Sequence, residues 1–570
     1  MERRRRLVTR TLPLAFIAIV AFAIGAAMGV PGSPPKDAAK RFTEAWENQE
    51  FAQMYKELNP ASKQAIEIND FVIAYRDAEG VATLRSVEAG SPGDPGSGDG
   101  ASVVPVPMDM RTVAFGKVEA ELKLSYEDGG IGWEPNLVFP GLDEGEHLEN
   151  AIELAPRAAI LAADGTALAE GEAEEREHPL GSAAIDVTGE VGTAEEDDLP
   201  KLERHGFSPQ TPVGVSGLEQ AFNARLAGKP GGSLLAVSDS SGATRVIAKG
   251  KPEKGAPVKT TIDPELQEAA VSALAGRAGG VTVLDARRGD VRALAGQAYS
   301  APQPPGSTFK MITTTAALQK GVLSLEDEFE YTSGVNVGGR FIENANGEIC
   351  GGTFPEAFAE SCNADFAPLG PEIGNETMVE TAERFGFNSP PTLYAERIVR
   401  EVEPPESSLP EEIGDELDLG VTAIGQGEVL ATPLQMATVA QTIANDGVRQ
   451  PTSIVANRRL RPDAEPVRVM SKQLSDDLTD LMIGVVTEGT GTAGAIPEAQ
   501  VAGKTGTAEL GPEPGTENLP EPVQIKDAWF AAFAPAEKPR LAVGVVLVDA
   551  GASGGEVSAP IASQVLSAGL

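Results

Sequence analysis

Pro-Gly-Ser-Thr-Phe-Lys, residues Pro305–Lys310, sets a serine three residues ahead of a lysine. The prolines that lead into this segment disfavour a helix, so the chain is predicted to begin one at Ser307. Gly321 suits the left-handed cap that ends many helices, and we expect the helix to stop near it. Ser307 and Lys310 then share one helix face, close enough to act together.

The histidines of this chain exclude a common way of activating a serine. There are three, His147, His178 and His205, and all precede the region that starts near Thr260. A Ser-His-Asp triad inside that region is therefore impossible. Zinc hydrolysis is also disfavoured, because catalytic zinc usually has histidine ligands. A serine nucleophile here needs a different base.

Lys310 can be that base if its surroundings make the amine neutral. A free lysine has a pKa of about 10.4 and is charged at neutral pH. Burial and neighbouring cations lower that pKa, and a neutral amine can accept the serine proton. The positive end of the helix dipole favours a developing negative charge on Ser307. We therefore predict that Ser307 is the nucleophile and Lys310 its base.

A second motif, Ser361-Cys362-Asn363, adds a hydroxyl and an amide. The Ser361 hydroxyl can relay a proton between the lysine and a leaving amine. The Asn363 amide can hydrogen-bond both the lysine and a substrate. Both residues are therefore predicted to be catalytic.

A third motif, Lys504-Thr505-Gly506-Thr507, lies on a predicted strand. Its cation and two hydroxyls can hold a substrate carboxylate. Gly506 lets the backbone approach a ligand closely. The Thr507 N–H can pair with the N–H of Ser307 as an oxyanion hole. All four residues are predicted to bind substrate.

Each motif alone carries little weight. About two serine-x-x-lysine matches arise by chance in a chain of this length. The Ser-Cys-Asn segment could be a loop cap, and the Lys-Thr-Gly segment a turn at a sheet edge. The joint occurrence of the three motifs, in this order, is what points to one site.

The surrounding sequence predicts an α+β domain over residues 256–570. Asp263 can cap a helix that runs to about Leu274. A hairpin of two apolar strands follows at 280–285 and 290–295. Further strands are predicted at 500–507, 527–533 and 540–548, and a last helix at 556–567. The predicted domain is an antiparallel sheet flanked by helices.

Two smaller α+β domains are predicted before it, so the chain is a multidomain protein. In residues 36–148, apolar spacing predicts helices over 37–58 and 60–75. Strands follow at 103–106, 112–126 and 131–139. Residues 149–255 are predicted to form a looser unit with acidic loops.

The amino terminus predicts attachment to a membrane. Residues 1–11 form a basic tail, and residues 12–30 are apolar and uncharged. About 20 such residues cross a bilayer as a helix. The arginines favour the cytoplasm, which puts the folded domains outside it. A cleaved secretory signal is the alternative, although the apolar run is longer than a typical signal core.

The amino-acid composition excludes several classes of partner and of structural site. The formal net charge of -38 argues against binding to nucleic acid. With two cysteines, Cys350 and Cys362, the chain is neither a disulfide-rich scaffold nor a cysteine-based zinc protein. Outside the cytoplasm this pair could form one disulfide, but spacing does not prove the geometry. No cofactor or metal is predicted.

The three motifs resemble those of the penicillin-recognising serine acyltransferases. Pro305–Lys310 looks like the active-site segment of class B penicillin-binding proteins. The same holds for Ala423–Gly427 with Thr432–Ala437, and for Gly503–Glu509. The resemblance covers roughly residues 150–570 and implies the serine β-lactamase/D,D-peptidase-like transpeptidase fold.

The first domain is more weakly similar to a known one. Trp133–Asn136 and Phe139–Leu142 resemble the cone-shaped domain, like nuclear transport factor two, in front of low-affinity penicillin-binding proteins. The family also implies that residues 149–255 are a pedestal or dimerisation domain.

The resemblance implies peptidoglycan cross-linking by a D,D-transpeptidase. Ser307 would attack the penultimate D-Ala carbonyl of a stem peptide, and Ser361 would pass a proton to the leaving D-Ala. The amine of a neighbouring strand would then take the acyl group. β-Lactam antibiotics would acylate the same serine. A membrane glycosyltransferase is implied as a partner, since no such domain is expected in this chain.

Two alternatives remain open. In a D,D-carboxypeptidase or a β-lactamase, water replaces the amine, and the three motifs do not separate these enzymes. The two extra domains and the predicted anchor favour the transpeptidase. A non-catalytic membrane sensor of β-lactams would need a sizeable cytoplasmic domain, but only about ten residues precede the predicted anchor.

Overall fold

The computed structural model of this chain describes residues 33–98, 101–196, 199, 202, 205–207, 211–395, 404–512 and 524–570. They form two compact units. The first contains the described parts of residues 1–155, 194–211 and 228–254, and the second those of 156–193, 212–227 and 255–570. Residues 149–255 are thus divided between the units.

Within the described ranges, no helix combines the length and the apolar character needed to cross a bilayer. The predicted anchor, residues 12–30, lies outside the residues that the structure describes.

The first unit opens with four helices where apolar spacing predicts two. The first predicted helix breaks after Glu47, and Gln49 has a φ of 56°. Asn59 caps the helix that begins at Pro60, and its side chain accepts the N–H of Ser62. The helices are α1 Pro34–Glu47, α2 Phe51–Lys56, α3 Pro60–Ala65 and α4 Ile68–Val81.

Two antiparallel sheets complete the first unit. In the larger the order is β1-β3-β4-β5, with β2 beside β3, and in the smaller it is β8-β7-β6. The strand predicted at 131–139 is wrong beyond residue 132, where proline opens a 3-10 turn, Pro135–Val138. The strands are β1 Leu84–Ala89, β2 Gly96–Gly98, β3 Ala101–Thr112, β4 Lys117–Glu127, β5 Gly130–Gly132, β6 Glu146–Glu153, β7 Gly231–Ser238 and β8 Thr244–Gly250.

Aromatic side chains fill the core of this unit. The Tyr75 ring lies 4.9 Å from that of Trp46 and 4.8 Å from that of Phe71, between centroids. All three side chains are buried. Such pairs add about 0.5–1.5 kcal/mol each beyond the area they bury.

The second unit is built on a five-stranded antiparallel sheet of order β10-β9-β13-β12-β11. Its predicted strands are confirmed, although β11 and β12 run further than expected. The bounds are β9 Gly279–Asp285, β10 Val291–Gly296, β11 Ala502–Pro512, β12 Gln524–Ala534 and β13 Leu541–Leu547.

Helices cover both faces of this sheet, as the sequence predicts. On one face α5 and α13 pack against Val281, Phe530 and Val543, and on the other face α11 packs against β13. The helices are α5 Pro264–Leu274, α6 Lys310–Lys320, α7 Phe354–Glu360, α8 Asn363–Phe366, α9 Leu369–Phe385, α10 Glu416–Ala423, α11 Pro433–Ala444, α12 Lys472–Thr487 and α13 Gly554–Gly569.

Shorter elements surround this core. Three short helices are Ser182–Thr188, Gly217–Ala221 and Asn223–Ala227. Short strands lie at Ile160–Leu161, Ala167–Ala169, Val191–Gly192, Val213–Gly214, Val258–Lys259, Glu328–Thr332, Gly334–Val337, Arg340–Glu343, Cys350–Thr353, Val448–Arg449 and Val467–Arg468.

A buried ion triad joins three of the early segments of the second unit. The Glu219 carboxylate accepts from Arg157 Nε at 2.6 Å and from Arg176 Nε at 2.8 Å. Its side chain is fully buried. Removing one partner of such a group typically costs about 3–5 kcal/mol, because it leaves a buried charge uncompensated.

Candidate active site

The proposed nucleophile lies on a tight turn. Ser307 belongs to the 3-10 turn Gly306–Phe309, and Lys310 is the first residue of α6. The helix ends at Gly321, as predicted, with a left-handed φ of 78°. Among described residues, none forms a hydrogen bond with the Ser307 hydroxyl.

Glycine is needed at the start of this turn. Gly306 has a φ of 52°, and a Cβ atom there would come within 2.6 Å of the Thr507 carbonyl oxygen. Its N–H donates to the Gly425 carbonyl at 2.9 Å. The close approach brings the Ser307 turn against strand β11, which carries the third motif.

The Lys310 amine is enclosed by the second motif. Its Nζ donates to the Ser361 carbonyl at 2.7 Å, to Asn363 Oδ1 at 2.8 Å and to Ser361 Oγ at 3.3 Å. The ring of Phe366 lies under the same Nζ, 5.0 Å from it. The first and second motifs therefore meet at one buried nitrogen.

The pKa of Lys310 falls well below its ordinary value. Burial is the largest cause, because the charged form loses its hydration. The nearby Lys504 charge lowers the pKa further, and the Asp365 carboxyl opposes both effects by raising it. The amine is thus poised to release its proton, as the sequence predicts for a base.

Lys504, on strand β11 of the sheet, also contacts Ser361. Its Nζ donates to Ser361 Oγ at 2.8 Å and to the Thr505 carbonyl at 3.2 Å. Burial lowers the pKa of Lys504 to about 7. A bound carboxylate would raise it again, because an opposite charge favours the protonated amine.

Ser361 is held in an unusual backbone conformation. It follows α7 and has left-handed angles, with φ 64° and ψ 41°. Non-glycine residues rarely adopt this region, and such strain is concentrated at functional sites. The conformation points Ser361 Oγ between the two lysines.

The other residues of the third motif line up along β11. Thr505 Oγ1 lies 2.6 Å from Thr490 Oγ1, so the two hydroxyls share a hydrogen bond. A Cβ atom on Gly506 would come within 2.7 Å of the Pro305 carbonyl, so this glycine lets β11 approach the Ser307 turn. Thr507 lies beside that turn, and its carbonyl accepts from Gln426 Nε2 at 3.4 Å.

Cys350 and Cys362 are joined as a disulfide, with Cα atoms 5.9 Å apart. The bond ties the strand Cys350–Thr353 to the segment that carries Ser361 and Asn363. The predicted site residues of all three motifs therefore come together with this disulfide beside them. In the described part of the chain, no group of three or more histidine, cysteine or acidic side chains could hold a metal ion.

Several residues of the site were not predicted from the sequence. Asp365 is 6% exposed, its Oδ2 has no hydrogen-bond partner among described residues, and burial raises its pKa to about 6. Thr490 and Gln426 reach the third motif from distant segments. Asp365 could have been named as a site residue from the sequence, because it lies only two residues after Asn363, on the same short helix.

Family models match three parts of this chain. The description "Penicillin binding protein transpeptidase domain" covers residues 279–567, and "Penicillin-binding Protein dimerisation domain" covers 171–260. The "NTF2-like N-terminal transpeptidase domain" covers residues 34–146, which confirms the weaker resemblance of the first domain.

A curated relative supports the same assignment. The peptidoglycan D,D-transpeptidase PbpA of Mycolicibacterium smegmatis is 37% identical over 298 residues, which cover 49% of this chain and 57% of that protein. The chain thus matches little more than half the length of this relative.

Solved structures match over a larger share of the chain. The D,D-transpeptidase domain of a peptidoglycan glycosyltransferase from Eggerthella lenta is 30% identical, with a TM-score of 0.57, over 73% of this chain and 98% of that one. Penicillin-binding protein A from M. tuberculosis, a ceftriaxone acyl-enzyme complex, is 27% identical with the same TM-score and coverage. Since the transpeptidase model covers just over half of the residues, this chain belongs to the penicillin-binding protein transpeptidase family.

Proposed function

We propose that this chain is a class B peptidoglycan D,D-transpeptidase that acts through a Ser307 acyl-enzyme. The observation that carries the proposal is the Lys310 amine, which is buried and bonded to Ser361 and Asn363. Its lowered pKa gives the serine a base in a domain without a catalytic histidine. The PbpA relative and the acyl-enzyme of penicillin-binding protein A support the same chemistry.

In the first half-reaction Ser307 forms an ester with the substrate. Lys310 takes the hydroxyl proton as Oγ attacks the penultimate D-Ala carbonyl carbon of a stem peptide. The N–H groups of Ser307 and Thr507 hold the oxyanion. The carbon–nitrogen bond then breaks, and the leaving D-Ala amine receives a proton through Ser361. Donation from both lysines to Ser361 Oγ leaves its own O–H free to give that proton.

In the second half-reaction an amine from a neighbouring strand attacks the ester carbonyl. The new amide carbon–nitrogen bond forms, the ester bond breaks, and the proton that the attacking amine loses passes through Lys310 to the Ser307 oxygen. Penicillin enters at the first step, because its strained amide is attacked by the same oxygen. Its ring fragment stays attached, which slows the second step.

The substrate carboxylate is proposed to lie against β11. Lys504 supplies the positive charge, while Thr505 and Thr507 supply hydroxyl donors. The arrangement fits a carboxylate, whose oxygens accept several bonds.

Replacing Thr505 with valine is expected to weaken acylation by about 10–150-fold, because one hydrogen bond to a charged group contributes about 1.5–3 kcal/mol. Most of the loss should fall on the dissociation constant for the β-lactam rather than on the acylation step. The measurement is the acylation rate against drug concentration. Thr479→Val is the control, since that hydroxyl bonds only within α12. A loss confined to the acylation step would contradict the binding role of Thr505.

Replacing Asp365 with asparagine is expected to move the acidic limb of the acylation profile to lower pH. Asp365 raises the pKa of Lys310, so its removal lets that pKa fall further and keeps the amine neutral in more acidic solution. Lys504 stays as the positive neighbour of the base. The measurement is the acylation rate as a function of pH. Asp365→Glu should restore the limb, and an unmoved limb in Asp365→Asn would contradict the influence of Asp365.

We also propose a division of the chain into five parts. Residues 1–11 form a cytoplasmic tail, and residues 12–30 form a single-pass anchor. The three folded domains are a cone-shaped domain at 36–148, a pedestal or dimerisation domain at 149–255 and the transpeptidase domain at 256–570. The matched ranges 34–146, 171–260 and 279–567 support the last three. With the anchor in the membrane, the catalytic domain acts outside the cytoplasm on glycan strands that a membrane glycosyltransferase supplies.

The experiment that tests this proposal is the fate of a fluorescent penicillin. We expect one stable adduct, which mass spectrometry maps to the peptide containing Ser307. A second substrate pair, a stem peptide with an amine acceptor, should yield the cross-linked dimer. Rapid turnover of the drug would identify a β-lactamase instead, and release of D-Ala without dimer would identify a carboxypeptidase.

A further inference from the structure

A partly open cavity lies in the second unit and contains none of the residues of the three motifs. It has a volume of about 210 Å³ and lies between the loop that follows α9, the start of α11 and the segment after α11. Its lining residues with polar side chains include Arg449, Glu465, Ser407, Thr432, Gln450 and Thr452. We call it the Arg449 cavity.

Arg449 lacks a negative partner. The Arg449 Nε donates to the Arg384 carbonyl at 2.9 Å, and no ion pair joins this guanidinium to any carboxylate among the described residues. The residue is half-buried, and burial lowers its pKa, although a guanidinium stays charged in any case. Glu465 lines the same cavity, but it is exposed and forms no ion pair with Arg449, so no carboxylate among the described residues directly compensates the guanidinium charge.

Hydroxyl groups face the same cavity. Ser407 Oγ accepts the N–H of Thr432 at 3.0 Å, which leaves its own hydrogen free to donate. The N–H groups of the first turn of α11 already have acceptors. That of Leu434 donates to the Ala298 carbonyl, and that of Gln435 donates to Thr432 Oγ1. The helix therefore contributes only the positive end of its dipole, and the donors are side chains.

The size and the chemistry of this cavity define a class of ligand. A water needs about 10–15 Å³ of such volume, so the cavity holds far more than one water. It is smaller than the roughly 300–1,000 Å³ of pockets for drug-sized molecules. A guanidinium fork surrounded by hydroxyls matches the oxygens of a carboxylate or a phosphate. We propose that the Arg449 cavity binds a small oxyanion, a carboxylate or phosphate group, as a second ligand site of this chain.

This site is separate from the carboxylate site on β11 but lies behind the Ser307 turn. Phe387, next to the cavity, packs its ring 5.7 Å from that of Phe309. Ala431, just before the α11 cap, exchanges backbone hydrogen bonds with Gln303. An anion would therefore bind to the frame that supports the nucleophile rather than to the reacting groups.

The test is titration of the folded chain with inorganic phosphate and, separately, with acetate, at constant ionic strength. Binding is followed by calorimetry and by the midpoint of thermal unfolding. We expect saturable binding of at least one of the two anions, and the stronger of them identifies the source of the oxyanion. Arg449→Gln should weaken it at least tenfold, and Thr452→Val should weaken it several-fold. Arg340→Gln changes the charge equally at an exposed position and should bind as the unaltered chain does.

Labelling by fluorescent penicillin shows that each variant is folded. If Arg449→Gln does not fold, Thr452→Val still decides the matter, because it keeps the shape of the side chain and removes one donor. The proposal fails if neither anion binds saturably. It also fails if Thr452→Val and Arg449→Gln bind the anion as tightly as Arg340→Gln does. Neither failure bears on the acyl-enzyme chemistry at Ser307.

Discussion

Replacing Ser307 with alanine is expected to abolish covalent labelling by penicillin while the chain stays folded. Removal of a catalytic nucleophile lowers rates by a factor on the order of 10⁶, so no adduct should be detectable. The Ser307 hydroxyl forms no hydrogen bond with the described residues, so its loss should change the free energy of unfolding by less than about 0.5 kcal/mol. The measurement is mass spectrometry of the intact chain after incubation with the drug.

Ser567→Ala is the matched control. Ser567 is exposed on the last helix, α13, and its hydroxyl bonds only to the Ser563 carbonyl within that helix. This variant should label as the unaltered chain does. An adduct that persists in Ser307→Ala, at the same mass and on the same peptide, would assign the nucleophile elsewhere.

The residues that carry the site could be predicted because the chemistry needs particular side chains at particular spacings. Missing histidines made Lys310 the candidate base, and its three hydrogen-bond acceptors belong to two residues of the predicted second motif, Ser361 and Asn363. The spacing of the motifs could not predict how deeply Lys310 is buried. The pKa of Lys310 depends on a low-dielectric pocket closed by Phe366, and no local pattern predicts that enclosure.

The residues that were missed reach the site through tertiary contacts. Thr490 follows α12, yet its hydroxyl meets that of Thr505 on β11. Gln426 follows α10 and reaches the carbonyl of Thr507. Thr490 has no sequence signature, and Gln426 lies in the Ala423–Gly427 segment that resembles the family, but both contacts depend on how distant segments pack.

The fold could be predicted where a regular pattern of apolar residues continues over a long stretch of sequence. Four of the five strands of the large sheet in the second unit were predicted to within about three residues at each end, since they are apolar runs. The first unit was harder. Its two predicted helices are four, because breaks such as that at Gln49, which has a left-handed φ of 56°, follow from turn geometry rather than from apolar spacing. Proline at 135 likewise replaced a predicted strand by a 3-10 turn.

Ser361 connects the two lysines, whose pKa values are lowered by partly different causes. Both amines donate to its Oγ, and both are buried. Lys310 is lowered by burial and by Lys504, whereas burial alone accounts for the shift of Lys504 to about 7. Lys504 is thus partly charged near neutral pH, and its charge favours the neutral form of Lys310. One amine then binds a carboxylate and the other accepts a proton.

Replacing Lys310 with methionine is expected to lower the rate of acylation by about 10²–10⁴-fold, the usual contribution of a general base. Methionine has a similar length and no charge, so the buried pocket beside Phe366 can hold it. Loss of the amine leaves its acceptors in Ser361 and Asn363 without their donor, and an unpaired buried acceptor costs about 1–3 kcal/mol. The unfolding midpoint should therefore fall slightly, while acylation falls much further. The measurements are the acylation rate and the midpoint.

Lys310→Arg separates a base from a mere positive charge. A protonated Lys310 has three N–H groups, and all three have acceptors in Ser361 and Asn363. The neutral amine has two, which frees a lone pair to take the proton of Ser307. Arginine cannot lose its proton in a protein, so it keeps the charge and lacks the lone pair. This variant should be as inactive as Lys310→Met, whereas Lys320→Met, at the far end of α6, should acylate normally. Rapid acylation by Lys310→Arg would mean that the charge of Lys310, and not its basicity, activates Ser307.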